Sequence, residues 1–215
     1  MNRPITLDDA LIREAVGWRR HLHSNPETAF EEHATADFVA AKLQEFGIEV
    51  HRGLGETGVV GTLRRGTSPV AIGLRADMDA LFIQEETNLE YRSRVDGKMH
   101  ACGHDGHTAM LLAAAGHLAR HGAFDGTIHF IFQPAEETGD ERCGGNLMMK
   151  DGLFAKFPMK AVFGLHNMPY YPEGTFKMRT GPMLASIDTF EFHIISRLAH
   201  PATQYYAPDP LLTAA

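Results

Sequence analysis

Cysteine is scarce in this chain: Cys102 and Cys143 are the only two among 215 residues, too few for a disulfide framework. Basic residues are in deficit, 20 Lys and Arg against 27 Asp and Glu for a net charge of -7, and they form no block. That argues against a nucleic-acid partner, because a phosphate backbone is bound by a concentrated basic face. No run approaches the roughly 18 apolar residues of a membrane span, and the first nine residues carry no apolar segment of the kind that opens a secretory signal. The expectation is a cytoplasmic protein with no membrane partner. Internal repeats and low-complexity stretches are also missing. What is present, 44% hydrophobic and 22% charged residues, is the balance of an ordinary globular protein and excludes a disordered or fibrous one. At this length the chain holds one large domain, or one domain and the beginning of another.

Apolar periodicity supplies the elements. Thr6 ahead of Asp8 and Asp9 reads as a helix N-cap, and Leu7, Leu11, Ala15, Trp18 and Leu22 recur at three- and four-residue spacing until Asn25 and Pro26. A second helix from about Glu31 carries Thr35, Val39, Leu43 and Phe46 on one face and stops at Gly47. Strands are expected over 48–51, 58–63 and 70–75. Residues 108–121, rich in Ala, Leu and Met on most faces, predict a largely buried helix closed by Gly122. The continuous apolar runs 127–132 and 161–165 have the pattern of strands covered on both faces. Helices alternating with buried strands predict an α/β fold with a central, mostly parallel sheet flanked by helices, in which ligands bind beyond the carboxyl ends of the strands.

Three clusters of ligand-type residues follow those strands. Residues 99–107 pack a thiol and three imidazoles, Cys102, His100, His104 and His107, just before the long apolar helix. Glu136 and Glu137 follow one strand, His166 and Asn167 another, and Asp77 and Asp79 stand at the end of a further one. A divalent ion of borderline softness accepts thiolate, imidazole and carboxylate together, and Cys102 and His104 on one turn offer it two donors. Taken singly, Cys102 reads equally well as a small buried hydrophobe and His104 as a capping or core imidazole. Adjacent Glu136 and Glu137 repel each other unless a cation or a raised pKa relieves them; with one held as a ligand, the other is left as a general base. The competing reading of that pair is a solvated acidic loop. Asp77 and Asp79 suit the orienting of ligands, or simple turn formation. His21, His23, His33, His51, His117, His121, His129 and His193 have no partner cluster in the sequence and are expected to be structural or solvated. His107 is expected to help start the helix, Cys143 to be an incidental loop thiol, and Met148, Met149, Met159 and Met168 to fill gaps.

Segments 73–81, 100–108, 131–137 and 163–167, with His21, His23, Pro26 and Glu27 near the start, closely resemble the M20 metallopeptidase superfamily in order from about residue 14 to residue 192. The nearest branch looks like the amidohydrolases that include hippurate hydrolase, N-acyl-amino-acid amidohydrolases and indole-acetyl-amino-acid hydrolases. The resemblance implies an enzyme that hydrolyses the amide bond of a small N-acyl amino acid to a carboxylate and a free amino acid. It implies two divalent metal ions, Mn²⁺ or Zn²⁺ with Co²⁺ or Ni²⁺ as alternatives, held by Cys102, His104, Glu137 and His166. Glu136 is then the catalytic base, His200 a candidate to stabilise the oxyanion, and the full-length form a homodimer. A dipeptidase or deacylase of the same superfamily, and a catalytically inactive remnant, are the alternatives. Family members are longer and carry a further metal-binding His near their C-terminus that has no counterpart here. Residues 196–206 keep His200 in register but lose the glycines that open the family's smaller dimerisation domain. The expectation is therefore an incomplete catalytic domain over 1–185 and the start of a dimerisation domain over 186–215, with one strand carrying Phe190, Phe192 and Ile194. Such a chain is expected to be inactive and marginally stable as it stands.

Overall fold

The structure, a computed structural model, describes residues 8–139, 141–185, 190–198 and 200–215. Helix α1 (Asp9–Ser24) starts where the Asp8 carboxylate accepts from the Ala10 amide at 2.9 Å. Thr6, expected as the cap, and Leu7 lie outside the described residues. Asn25 closes α1, and α2 (His33–Glu45) is stopped by Gly47 at φ +74°. Strands β1 (Glu49–Leu54) and β2 (Gly58–Arg65) form an antiparallel hairpin. Next come β3 (Ala71–Asp77), α3 (His104–His121), β4 (Gly126–Gln133), α4 (Gly144–Lys150), α5 (Leu153–Lys156) and β5 (Val162–Gly164).

The sheet runs β1-β2-β4-β3-β5. It is mixed: β1, β2 and β4 pair antiparallel, while β3 runs parallel to both β4 and β5. Period-two alternation along β4 sends neighbouring side chains to opposite faces. Ile128, Phe130 and Phe132 pack with Leu11, Trp18, Val39, Leu43 and Leu112 from α1, α2 and α3. Ile131 points the other way and packs with Leu54, Val60, Met148 and Leu153 under α4 and α5. The sheet is thus covered on both faces at its centre, which is why β4 reads as an unbroken apolar run.

Two expectations for the first 185 residues need correction. The run 161–165 is not covered on both faces: β5 is an exposed three-residue strand, with Phe163 57% and Leu165 59% accessible. Among the described residues it pairs with β3 alone, and an apolar edge strand carries the same sequence pattern as a central one. Helix α3 starts at His104 rather than at residue 108, because Gly103 at φ +111° turns the chain into the helix and side-chain hydrogen bonds hold the first turn.

Contacts divide the chain into two compact units, Met1–Glu173 and Gly174–Ala215. In the second, α6 (Pro210–Ala214) is capped by Asp209, which accepts from the Leu211 amide at 2.9 Å. The rings of Phe190 and Phe192 lie 5.2 Å apart, but the described residues 190–198 hold no strand; without a partner ladder their apolar alternation has nothing to pair with. Among the described residues no helix is long and apolar enough to cross a membrane.

Phe130 is fully buried at the middle of the larger core. Phe130→Ala is expected to cost about 3–5 kcal/mol of unfolding free energy in a denaturant titration; a loss below about 1 kcal/mol would contradict this packing.

Candidate metal centre

Parallel pairing sets the site. Asp77 at the end of β3 lies in register with Gln133 at the end of β4, and Arg75 with Gly164 at the end of β5. The segments that continue from these ends, 78–80, 134–137 and 165–167, therefore emerge on one edge of the sheet. A bridge between Leu81 and Met99 leads the following loop back to the same edge, where Gly103 opens α3.

The side chains meet there. Donor atoms of Cys102, His104 and His166 all lie within 4.8 Å of one another, as do those of His104, Glu136 and Glu137. His104, fully buried, belongs to both groups. Its Nδ1 donates to the carbonyl of Asp79 at 2.9 Å and lies 3.1 Å from Asp79 Oδ1, which leaves Nε2 as the bare nitrogen. Nε2 lies 3.7 Å from Glu137 and 3.9 Å from Glu136. His166 is fixed in the same sense: Nδ1 donates to the carbonyl of Asn167 at 2.7 Å, and Nε2 faces the Cys102 sulfur at 3.3 Å. The sequence-derived set Cys102, His104, Glu136, Glu137 and His166 is thus brought together. His200 belongs to the second unit, where its Nδ1 accepts from the Ala202 amide at 3.2 Å.

Electrostatics show what the cluster requires. Nε2 of His104 and Oε1 of Glu137 are buried and have no hydrogen-bond partner among the described residues. Burial pushes the Cys102 thiol up to about 12, and Glu137, Glu136 and Asp77 push the same way. Burial also raises Glu136, with Glu137 and Asp77 reinforcing it against the pull of His104 and Arg75. For His104, burial works against the charged ring, but the Asp79 hydrogen bond and the nearby carboxylates outweigh it and raise its pKa. Burial and the neighbouring carboxylates together disfavour further negative charge in this pocket while lone pairs stay unspent, and a divalent cation with mixed sulfur, nitrogen and oxygen donors relieves both.

A third group, Asp77, His104 and His107, also lies within 4.8 Å. Its donor atoms are largely committed to hydrogen bonds, one of them within the group. His107 Nδ1 lies 2.6 Å from Asp77 Oδ1, and Nε2 accepts from the Asn167 amide at 3.0 Å. Burial alone would raise Asp77, yet the His107 hydrogen bond, Arg75 and His104 hold it far below the ordinary carboxylate range. His107 and Asn167 therefore tie the ends of β3 and β5 together, a role that single-residue reading of the sequence does not reveal. His23 is structural rather than solvated: buried, it pairs with Asp105 at 2.8 Å and Glu85 at 3.2 Å, joining α1 to the first turn of α3.

Residues 73–215 match the family model Peptidase family M20/M25/M40. The chain belongs to that family. It is 49% identical over 196 residues to a hippurate hydrolase of Campylobacter jejuni, covering 91% of this chain and 50% of the relative. It is 41% identical over 214 residues to an N-acetyl-L-cysteine deacetylase of Bacillus subtilis, covering 99% of this chain and 50% of that one. Its fold matches a Bacillus subtilis dinuclear metal-binding peptidase of the M20 family with a TM-score of 0.76 and 40% identity, over 81% of this chain and 48% of the other. The chain spans about half the length of the relatives it matches.

Gly103 joins Cys102 to His104, and a Cβ there would stand 2.3 Å from the Asn167 carboxamide. At φ +111° a side chain is strained as well. Gly103→Ala is expected to cost about 1–3 kcal/mol of stability and to weaken metal binding, read by denaturant unfolding and metal titration; a variant equal to wild type in both would contradict the close approach of Asn167.

Proposed function

We propose that this chain carries the metal-holding part of an amidohydrolase that cleaves N-acyl amino acids, hippurate-like or N-acetylated, to a carboxylate and a free amino acid. The observation that carries the reading is the pair of unspent buried donors, His104 Nε2 and Glu137 Oε1, in a cluster where His104 is shared between Cys102 and His166 on one side and Glu136 and Glu137 on the other. Relatives named for hydrolysis of hippurate and deacetylation of N-acetylcysteine support the substrate class.

Cys102, His104, Glu137 and His166 would hold two divalent ions, Mn²⁺ or Zn²⁺, with Co²⁺ or Ni²⁺ also suited to the donors. When bound, the ions supply Lewis acidity to the scissile carbonyl and to the attacking water. Glu136 is the remaining carboxylate of the pair and serves as base: it takes a proton from the water that attacks the carbonyl carbon and passes it to the amide nitrogen as the C–N bond breaks. Asp79 keeps His104 in the tautomer that turns a lone pair inward. His200 is assigned to the oxyanion on the strength of its place in the family pattern; with Nδ1 accepting from the Ala202 amide, Nε2 is the nitrogen suited to donate. In this reading residues 1–185 belong to the catalytic domain and 186–215 open a dimerisation domain, the full-length form being a cytoplasmic homodimer without nucleic-acid or membrane partners.

Metal analysis of the purified protein, followed by a screen of hippurate and N-acetyl amino acids, tests the assignment. Glu136→Gln is expected to keep its metal in this chain and, in a full-length form, to lower turnover at least about a hundredfold; loss of bound metal would make Glu136 a ligand instead. Cys102→Ser is expected to bind metal more weakly, because a hydroxyl is a poor substitute for a thiolate. Unaltered stoichiometry and affinity would return Cys102 to the role of a packing residue.

A further inference from the structure

Glu32 is a carboxylate with no exposed surface, 103 residues from the amide it holds. It stands at the N-cap of α2, where an acidic side chain ordinarily accepts from the helix's own first amides. It makes no such bond. Its Oε2 instead accepts from the Thr57 hydroxyl at 2.7 Å, and its Oε1 accepts from the Ala135 amide at 2.8 Å.

Ala135 immediately precedes Glu136 and Glu137 and is itself unusual. It is fully buried, and at φ +47° it adopts the left-handed conformation that side chains rarely take. Its carbonyl accepts from the Gly144 amide at 3.0 Å and from the Thr138 hydroxyl at 3.3 Å. Two positions on, the Glu137 amide donates to Asp79 Oδ2 at 2.9 Å. The segment that delivers Glu32 is registered against the same strand end, through Ala80 N–H donating to the Glu27 carbonyl at 2.8 Å. Two buried carboxylates from different parts of the chain thus hold alternate amides of one strained turn.

We infer that Glu32 is a positioning residue, whose carboxylate clamps the Ala135 amide and so fixes the turn that presents Glu136 and Glu137 to His104. Its consequence for metal binding rests on the function proposed above; the clamp itself does not. Burying an acidic group is costly, and burial raises the Glu32 carboxyl, with the Thr57 and Ala135 hydrogen bonds opposing that rise. Such a group is retained where its geometry is needed. The need is for an acceptor of this length, so a glutamine replaces it: its oxygen accepts from Ala135 while its amide nitrogen donates to Thr57.

The test compares Glu32→Gln with Glu32→Met, which fills the same space without an acceptor, in the 215-residue chain. Exchange of the Ala135 amide is followed by NMR, with the Phe130 amide as a reference for global opening. Affinity for Co²⁺ alone is followed through the thiolate-to-metal charge-transfer band. In Glu32→Met the Ala135 amide is expected to exchange at least about tenfold faster relative to Phe130, and Co²⁺ affinity to fall about 10–100-fold, the range for losing a partner that orients a ligand. Glu32→Gln is expected to stay within about threefold of wild type in both, a rescue that general loss of packing would not produce. Unchanged Ala135 exchange in Glu32→Met overturns the clamp, as does unchanged Co²⁺ affinity in a chain that binds Co²⁺, or a Gln variant as impaired as the Met variant. Wild type without Co²⁺ affinity removes the metal reading, and the clamp then stands or falls on Ala135 exchange. Should Glu32→Met fail to fold, Glu32→Asp, one methylene short of Ala135, is read in its place with the same expectations.

Discussion

The carboxylate of Asp79 joins the two halves of the site. One oxygen lies against Nδ1 of His104 and the other accepts from the amide of Glu137, so one rigid group fixes the tautomer of an imidazole on α3 and the path of the turn after β4. A carboxylate buried this completely persists only when its oxygens are met by hydrogen bonds. Those bonds come from segments that parallel pairing of β3 with β4 has already brought to one edge of the sheet. Neither the helix nor the turn could shift without leaving a buried charge unmatched, and that is the constraint from which the geometry of the site follows.

Charge balance decides what the site is for. Asp77, Asp79, Glu136 and Glu137 crowd around His104, while Arg75 spends its guanidinium on Asp77 and Gln133. Protons can relieve part of this crowding, as the raised Glu136 and the high thiol pKa of Cys102 indicate, but only by silencing the groups that chemistry would use. A divalent cation relieves it while leaving Glu136 able to accept a proton. Supporting interactions radiate outward from there. His107 and Asn167 bind the ends of β3 and β5, Gly103 lets Asn167 lie against the turn before α3, and the His23–Asp105 pair anchors α3 to α1.

Much of this was legible in the sequence because the chemistry there is local. Cys102 with His104, and Glu136 with Glu137, are close neighbours in the chain, and strand-length apolar runs before Gln133 and His166 say where such clusters emerge. What stayed hidden depends on long-range partners. Helix α3 starts at His104 because Asp77 and Asp79 hold its first turn, which no helix propensity in a His-Asp-Gly-His stretch discloses. Glu32 looks like one more surface acid in an acidic pair until Ala135 is found against it. The exposure of β5 was illegible because a continuous apolar run looks the same in an edge strand as in a central one.

Cys102, His104 and His166 bring their donor atoms within 4.8 Å of one another, the spacing of one shared metal centre. X-ray absorption at the zinc edge of the Zn²⁺-loaded chain measures this directly, since sulfur and lighter donors scatter differently. Sulfur is expected in the coordination shell alongside nitrogen and oxygen donors. A shell of nitrogen and oxygen alone, with Cys102 intact and reduced, would contradict it.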